Sequence, residues 1–409
     1  MAKRNRVIYQ SEALFVSHQY SGHKTVDIVN GSHKTWATDR GPTPGVDITS
    51  GMFHQIHRVQ SANYNFAISR QDVNQFGNLA RIDTAVIEAP TVGLDFTYLV
   101  TDGSNEDKLG ITAQATEVSA VSGLLSSVSG RNYHILTVEE GKDANTEKVD
   151  GTENLGQSSA STVISIGNGY VTNYSMNAAV GSVPTASVSV EGLNITADSA
   201  QTGLTTPSID PANSVQGTAL YTLPNPVSGE VGSILRPGDM QVTFAGTPAA
   251  SHSATGVIAQ LTDTNAKSAA HIQSFSVDVP LGRSVLNRLG NAFGFSREID
   301  FPITVSVSLS AIVADLKRGN LFDELYDQQK HNMAIIMKKP SSSGSGAGEE
   351  QIRYLLKNVT LDSESYSSSI GDNKSVDLTF SATVGGPEDT TNGLFISGTS
   401  VTDETRFFK

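Results

Sequence analysis

The chain has 409 residues, with 41 acidic and 28 basic side chains, a formal net charge of −13 and no cysteine. The missing cysteines exclude disulfides and zinc–thiolate sites, and the absence of a basic block disfavours tight nucleic-acid binding through phosphate neutralisation. Charged residues are only 17% of the chain and there are 37 glycines, which favours strands and turns over helical bundles.

The first clear elements are two strands, at residues 60–68 and 91–100. In the second strand, Val92, Leu94 and Phe96 alternate with small polar residues. This period of two predicts a sheet with one buried face and one wet face. A short helix is predicted next, because four apolar residues follow a helical stripe: Ile111, Ala115, Val118 and Leu125.

The first half of the chain ends with a strand at 134–138 and a closing hairpin that turns at Val180-Gly181. The last strand of this hairpin alternates again, with Val188 and Val190 on one side and Ser187, Ser189 and Glu191 on the other. The whole half therefore reads as a small antiparallel sheet domain.

The second half repeats this order. Without a gap, residues 60–102 lie over residues 273–315, and ten of these 43 positions are identical, among them Arg70 and Arg283. Weaker similarities follow in the same order as far as Ala382, including a second closing hairpin around Ile370-Gly371. A repeat of this length indicates a duplicated domain. We place copy 1 with an N-terminal arm at 1–200, an extended, proline-containing linker at 201–235 and copy 2 at 236–409.

No motif in the chain predicts catalysis, a metal or a cofactor. His54 and His57 have a spacing that suits one helix face, but no cluster of further ligands adjoins them. The glycine-rich stretch 341–350 has neither phosphate-binding nor dinucleotide-binding spacing. We therefore expect a protein that is not an enzyme and that acts through its surfaces. The start lacks the apolar stretch of a signal peptide, and no apolar run reaches the ~20 residues of a membrane span; we expect no membrane insertion.

The run "RVQSANYNFAISRQDVNQFGNLARIDTAVIEAPTVGLDFTYLV", together with "PTASVSVEGLNI", resembles tail tube proteins of long-tailed bacteriophages. The resemblance implies a mainly β fold: two tandem tail-tube-like β-sandwich or barrel domains, each with a flanking helix and long hairpins that line a ring. It also implies stacked rings, which form a conduit for the viral genome. Two copies per chain predict homotrimeric rings with pseudo-six-fold symmetry, because three chains supply six domains.

The resemblance further implies a location in the virion tail after assembly in the host bacterial cytoplasm. The expected partners are the chain itself and the tape-measure, terminator and distal tail proteins. DNA is expected to pass through the lumen without specific binding.

If the apolar faces of the strands pack outward against the rest of each domain, their polar faces line the lumen. The predicted lumen residues are Asn63, Asn65, Thr91, Asp95, Thr97, Ser187, Ser189, Glu191, Ser276, Asp278, Thr304, Ser306, Ser308, Ser310, Asp377 and Thr379. The alternative is that these residues form only the solvent side of a sandwich.

Two further alternatives stay open from the sequence. The acidic stretch 101–153 forms either contacts with a neighbouring ring or a simple exposed loop. The protein is either the tube subunit, a distal tail or baseplate ring protein of the same fold, or, from a different class, a β-rich receptor-binding module. The low aromatic content of 7% disfavours the last of these.

Overall fold

A computed structural model describes residues 12–18, 28–29, 32–33, 53–113, 118–125, 130–138, 144, 162–199, 204–210, 215–216, 220–221, 223, 235–244, 270–290, 293–294, 296–313, 330–339, 348–368 and 373–399. The fold is mainly β with large antiparallel sheets, as the sequence predicts. No helix in the described ranges is long and apolar enough to cross a membrane.

The strands of the first half are β1 Glu12–His18, β2 Ile28–Val29, β3 Ser32–His33, β4 Phe53–Gln55, β5 Val59–Ala67, β6 Arg70–Val73, β7 Asp83–Val86, β8 Thr91–Leu99, β9 Arg131–Thr137, β10 Thr162–Ala179, β11 Thr185–Gly192 and β12 Asn194–Ser199. One α-helix, α1, spans Ser104–Lys108, and a 3-10 turn spans Ser122–Leu124.

The strands of the remainder are β13 Leu204–Thr205, β14 Ile209–Asp210, β15 Val215–Gln216, β16 Leu220–Tyr221, β17 Met240–Phe244, β18 Ala270–Pro280, β19 Arg283–Leu286, β20 Ser296–Ile299, β21 Ile303–Val313, β22 Lys330–Lys338, β23 Glu350–Ser367, β24 Ser375–Val384 and β25 Gly393–Gly398. A 3-10 turn at Pro237–Asp239 precedes β17.

The structure corrects the predicted position of the helix in the first half. Ile111, Val118 and Leu125 do not lie in a helix, and the helix that does form begins seven residues before Ile111, at Ser104. It ends before Gly110, whose φ of 92° is left-handed and stops the α-helical path. The matching stretch of the second half, around Leu321 and Leu325, lies outside the described residues.

Eight strands form the main part of the sheet, and they fall into two blocks of four. We call β5, β8, β11 and β10, in this spatial order, block 1, and β18, β21, β24 and β23, in the same sense, block 2. The registers of the two blocks match. Asp95 lies opposite Asn63 and Ser189 in block 1, and its counterpart Ser308, 213 positions later, lies opposite Ser276 and Thr379 in block 2.

Both blocks contain one long strand that serves two sheets. β10 and β23 each have 18 residues. The first part of β10 pairs with β9 and β12, and the first part of β23 pairs with β22 and β25. Their later parts belong to the blocks, so each block is continued into a second sheet by its longest strand.

The bend in each long strand is built from the same residue type. Asn168 and Asn358 have φ values of 52° and 58°, a left-handed conformation that asparagine tolerates better than most side chains. The backbone N–H of Asn168 donates to Oδ1 of Asn132 at 3.1 Å, and that of Asn358 donates to Oδ1 of Asn332 at 3.1 Å. A register shift follows each asparagine at the same distance, which lets the strand change sheets.

The described parts of segment 201–235 form two short strand pairs, β13 with β16 and β14 with β15. Leu204 and Leu223 are buried against Phe15 and Leu136 of the first half. The predicted domain boundaries at 200 and 236 stay predictions. Among the described strands the sheet follows an open path from β17 to β5, and no closed barrel is seen.

The buried His134 of the first half predicts that the free energy of unfolding depends on pH. His134 is fully buried, and its ring nitrogens lie 3.2 Å from Ser17 Oγ and 2.8 Å from Ser165 Oγ. Burial lowers the pKa of His134 to about 3.

In the unfolded chain the His134 imidazole is protonated near pH 6.5, whereas in the folded chain it is protonated only near pH 3. We expect this one histidine to lower the free energy of unfolding by about 2 kcal/mol as the pH falls from 6.5 to 5. Urea unfolding at both pH values measures this, with His134→Asn reducing the loss and His271→Asn, at an exposed position, leaving it unchanged. Equal losses in the wild type and His134→Asn would contradict the assignment.

Candidate assembly surface

The two faces of the eight-strand sheet differ sharply. On one face the apolar residues of the six inner strands are mostly buried, including Leu94, Phe96, Tyr174, Val277 and Phe380. On the other face a row of polar residues crosses all eight strands without a break in register: Ser61, Thr97, Ser187, Ser175, Asp278, Ser306, Ser381 and Thr360.

All sixteen predicted lumen residues lie on this polar face, and each is exposed or half-buried. Four of them are acidic (Asp95, Glu191, Asp278 and Asp377), and none is basic. Hydrogen bonds hold some of these side chains in place; for example, Asn173 Nδ2 donates to Asp278 Oδ1 at 3.3 Å. Whether this face lines a lumen stays a prediction.

The two blocks meet where β10 pairs antiparallel with β18, and we call this pairing the inner seam. Seven residue pairs form it, from Asn173 opposite Pro280 to Ala179 opposite Ser274. The backbone continues the contact at both ends, because Leu281 N donates to Thr172 O and Val180 N donates to Gln273 O, each at 2.8 Å. The inner seam therefore makes one continuous sheet out of two blocks.

A cluster of two arginines, a tyrosine and a glutamate fastens the inner seam, and we call it the seam cluster. Arg283 and Arg297 belong to the β19–β20 hairpin, and their guanidinium carbons lie 4.9 Å and 5.9 Å from the ring centre of Tyr170. Arg297 forms an ion pair with Glu191 at 2.8 Å. Arg283 also donates to the backbone oxygens of Val171 and Leu124 at 3.4 Å and 3.3 Å.

Because the side chain of Arg297 is only 9% exposed, its charge needs the partner that Glu191 supplies. The seam cluster thus connects the β19–β20 hairpin, which links β18 to β21, to β10 and β11 of block 1. The connection consists of cation–π contacts and a largely shielded ion pair.

We expect Arg297→Thr to lower the free energy of unfolding by about 1–2 kcal/mol, since it leaves Glu191 without its cation; the partial exposure of Glu191, 37%, limits the loss. Urea unfolding at neutral pH measures the change. Arg81→Thr is the matched control, because Arg81 pairs with Asp72 where both side chains are more than half exposed, and such pairs contribute well under about 1 kcal/mol. Equal effects of the two changes would contradict the role of the seam cluster.

A second contact between the halves is a buried carboxyl group. Glu106 of α1 accepts hydrogen bonds from the hydroxyls of Tyr98 at 2.8 Å and Tyr174 at 3.1 Å, and the Tyr174 hydroxyl lies 2.8 Å from that of Tyr354. Tyr354 belongs to β23, so the chain of hydroxyls joins the first half to the second. Oε2 of Glu106 is buried without a hydrogen-bond partner.

Burial raises the pKa of Glu106. The folded protein therefore holds this proton at pH values where the unfolded chain has released it, so the contribution of Glu106 to stability is lost as the pH rises above about 4.5. The tyrosine hydroxyls can donate to the amide oxygen of a glutamine as they do to the carboxyl oxygen.

We expect Glu106→Gln to raise the free energy of unfolding at pH 8, and the gain to shrink as the pH approaches 4.5. Urea unfolding across this pH range checks it. Glu88→Gln, at an exposed position, is the control. A loss of stability at pH 8 in Glu106→Gln would contradict a carboxyl group that is costly to ionise.

His54 and His57 do not form part of a metal centre in the described structure, since no group of three potential ligands occurs among the described residues. Burial, and then the positive charge of Lys108, lower the pKa of both imidazoles to about 4. The Lys108 ammonium in turn donates to the backbone oxygen of Gln55 at 3.0 Å. This region packs α1 against the start of block 1.

The sequence missed the seam cluster and Glu106. Arg283 stands out in the sequence as one of the identical positions of the repeat, but identity alone gives it no partner. Tyr170, Glu191 and Arg297 come together only through the pairing of β10 with β18 and β11. Glu106 lies in the acidic stretch 101–153, which the sequence assigns either to a contact with a neighbouring ring or to an exposed loop, whereas the structure buries Glu106 completely.

No protein-family model matches the chain, and no curated protein matches it. Among solved structures, the chain is similar to one titled "Crystal structure of Hcp protein", with 9% sequence identity and a TM-score of 0.18. The match covers 39% of this chain and 96% of that protein. At this score the similarity supports no conclusion about fold or function.

Proposed function

We propose that the protein is a structural subunit that assembles through its sheet edges into rings of three chains, and that the rings stack into a tube. In the more specific form of the proposal, the tube is the tail tube of a long-tailed bacteriophage and serves as the conduit for the genome. The protein is then part of the virion tail, with itself as its main partner.

The inner seam is the observation that carries this proposal. It joins the last edge of block 1, on β10, to the first edge of block 2, on β18. Two similar blocks are therefore joined head to tail within one chain. The first edge of block 1, on β5, and the last edge of block 2, on β23, remain at the two ends of the eight-strand run. These two strands correspond to β18 and β10, which are the strands that the inner seam joins. A head-to-tail contact of this kind can repeat between chains and closes into a ring when its rotation permits.

The polar face supports the conduit. In a ring whose apolar faces pack outward within each chain, the row of serine, threonine and aspartate side chains faces inward around six blocks. Its sixteen predicted residues carry no positive charge, and the nearby Arg297 is largely buried and paired with Glu191. The row therefore offers phosphate groups little to bind, and DNA can slide past. Contacts with tape-measure, terminator and distal tail proteins at the ends of the tube belong to the same proposal.

Electron microscopy of the purified protein, with native mass spectrometry of single rings, tests this function. We expect hollow tubes and rings of three chains, with Asp95 and Asp278 on the inner wall of a reconstructed map. A protein that stays monomeric at every concentration would sink the proposal. Rings of six chains would contradict the arrangement of two blocks per chain, and a map with both aspartates on the outer wall would contradict the lumen assignment.

A further inference from the structure

The two ends of the eight-strand run are open sheet edges. β5 pairs with β8 on one side, and its other side has no strand partner in the described part of the chain. The segment Leu361–Ser367 of β23 pairs with β24 on one side, and its other side is likewise open among the described strands. We call these the outer edges. Open edges of this length are sites of strand addition.

Two aromatic side chains on the β5 edge are exposed, as is typical of a surface that a partner covers. Phe66 is 68% exposed and Tyr64 is 43% exposed, although they stand on the apolar side of the sheet. Their counterparts 213 positions later, Val279 and Val277, are 3% and 0% exposed, because the inner seam surrounds them. The difference lies in the neighbouring strand, which β18 has and β5 lacks.

The inner seam gives the expected register for the outer edges. On one side of the inner seam, β18 corresponds to β5 at a distance of 213 positions. On the other side, β10 corresponds to β23 at a distance of 190 positions, as Asn168 and Asn358 do. Since Ser175 lies opposite Asp278 and Asn177 opposite Ser276, the same geometry sets Ser365 opposite Asn65 and Ser367 opposite Asn63.

We propose that β5 of one copy of this chain adds antiparallel to the Leu361–Ser367 edge of a second copy in this register, and that this outer seam is the separable joint of the assembly. The proposal rests on the ring proposed above and specifies its interface. Strand addition satisfies the open backbone groups of both edges and covers Tyr64 and Phe66.

The residues of the seam cluster explain why this seam is the separable one. Arg70 occupies the position that corresponds to Arg283, but Thr84 replaces Arg297. On the receiving side, the counterparts of Tyr170 and Glu191 are Thr360 and Ser381, which pair with each other as Tyr170 and Glu191 do. The outer seam therefore keeps one arginine and lacks the second arginine and the aromatic ring. In place of the Glu191 carboxylate it has Ser381, whose Oγ donates to Asp362 Oδ1 at 2.9 Å.

This difference separates two tasks. The inner seam holds the two blocks of one chain together by a shielded ion pair and cation–π contacts, both of which strengthen a sheet contact. The outer seam relies on backbone hydrogen bonds and on the burial of two aromatic side chains. Chains of net charge −13 also repel one another as they meet. Copies therefore join and separate at the outer seam while each chain stays folded.

The register is tested by disulfide trapping, because the chain has no cysteine of its own. A chain with Asn65→Cys is mixed with a chain with Ser365→Cys under assembly conditions and oxidised. We expect cross-linked dimers, since directly opposed strand residues lie within disulfide reach. The matched control replaces the second chain with one carrying Ser363→Cys, two residues away in register, and should yield at least about tenfold less dimer, because diagonal positions lie beyond that reach.

The outcomes separate this inference from the proposed function. Tubes or rings that form without the Asn65–Ser365 cross-link, or that cross-link better through Ser363, overturn the register and leave the function standing. Failure of the wild type to assemble under any condition overturns both.

The strength of the seam is tested by transplanting the missing residues. The triple variant Thr84→Arg, Thr360→Tyr, Ser381→Glu gives the outer seam its own copy of the seam cluster. We expect ring dissociation on dilution, followed by mass photometry, to shift to about tenfold lower protein concentration. The control Thr84→Arg with Ser381→Arg places two like charges together and should dissociate at higher concentration than the wild type. A triple variant that dissociates like the wild type overturns the assignment of the missing cluster.

Discussion

The backbone pairing of β10 with β18 is the constraint on which the rest of the molecule depends. An antiparallel sheet leaves unpaired N–H and C=O groups at both edges, and a chain that contains two similar sheets has four such edges to satisfy. Joining the last edge of block 1 to the first edge of block 2 satisfies two of them and aligns the alternation of both blocks. One apolar face and one polar face then extend over eight strands.

The long strands turn this flat alignment into a packed structure. A strand that belongs to two sheets must bend, and the bend requires a residue that tolerates positive φ and an acceptor for the N–H that leaves the ladder. Asn168 with Asn132, and Asn358 with Asn332, meet both needs in the same way. The second sheets that result, β1–β9–β10–β12 and β17–β22–β23–β25, provide partners for the apolar face, so that Tyr133, Leu356 and their neighbours become core.

Much of this fold is visible in the sequence, because alternation in strands is a local signal. The strands at 60–68 and 91–100, and their repeats in the overlaid residues 273–315, are found within a few residues of their predicted places, and Val92, Leu94 and Phe96 are buried as their period predicts. The polar residues of these strands share one face for the same reason. The helix was misplaced, because Ile111, Val118 and Leu125 are buried or half-buried in irregular backbone that has no period. The inner seam, the seam cluster and buried Glu106 depend on pairings between residues a hundred or more positions apart, and no local pattern encodes which edge meets which.

The β6–β7 and β19–β20 hairpins correspond to each other in the repeat, but their exposed turns differ in sequence. The turn of the first hairpin presents Phe76 and Leu79, whereas the corresponding turn of the second presents Leu289 beside Gly290. In a protein with a single copy per gene, one mutation would change every hairpin around a ring, and a partner that binds the hairpins would find six identical sites. Here each hairpin can drift on its own. If three chains form the proposed ring, its rim displays two alternating motifs, and such a rim can match a partner of three-fold symmetry without a mismatch in number.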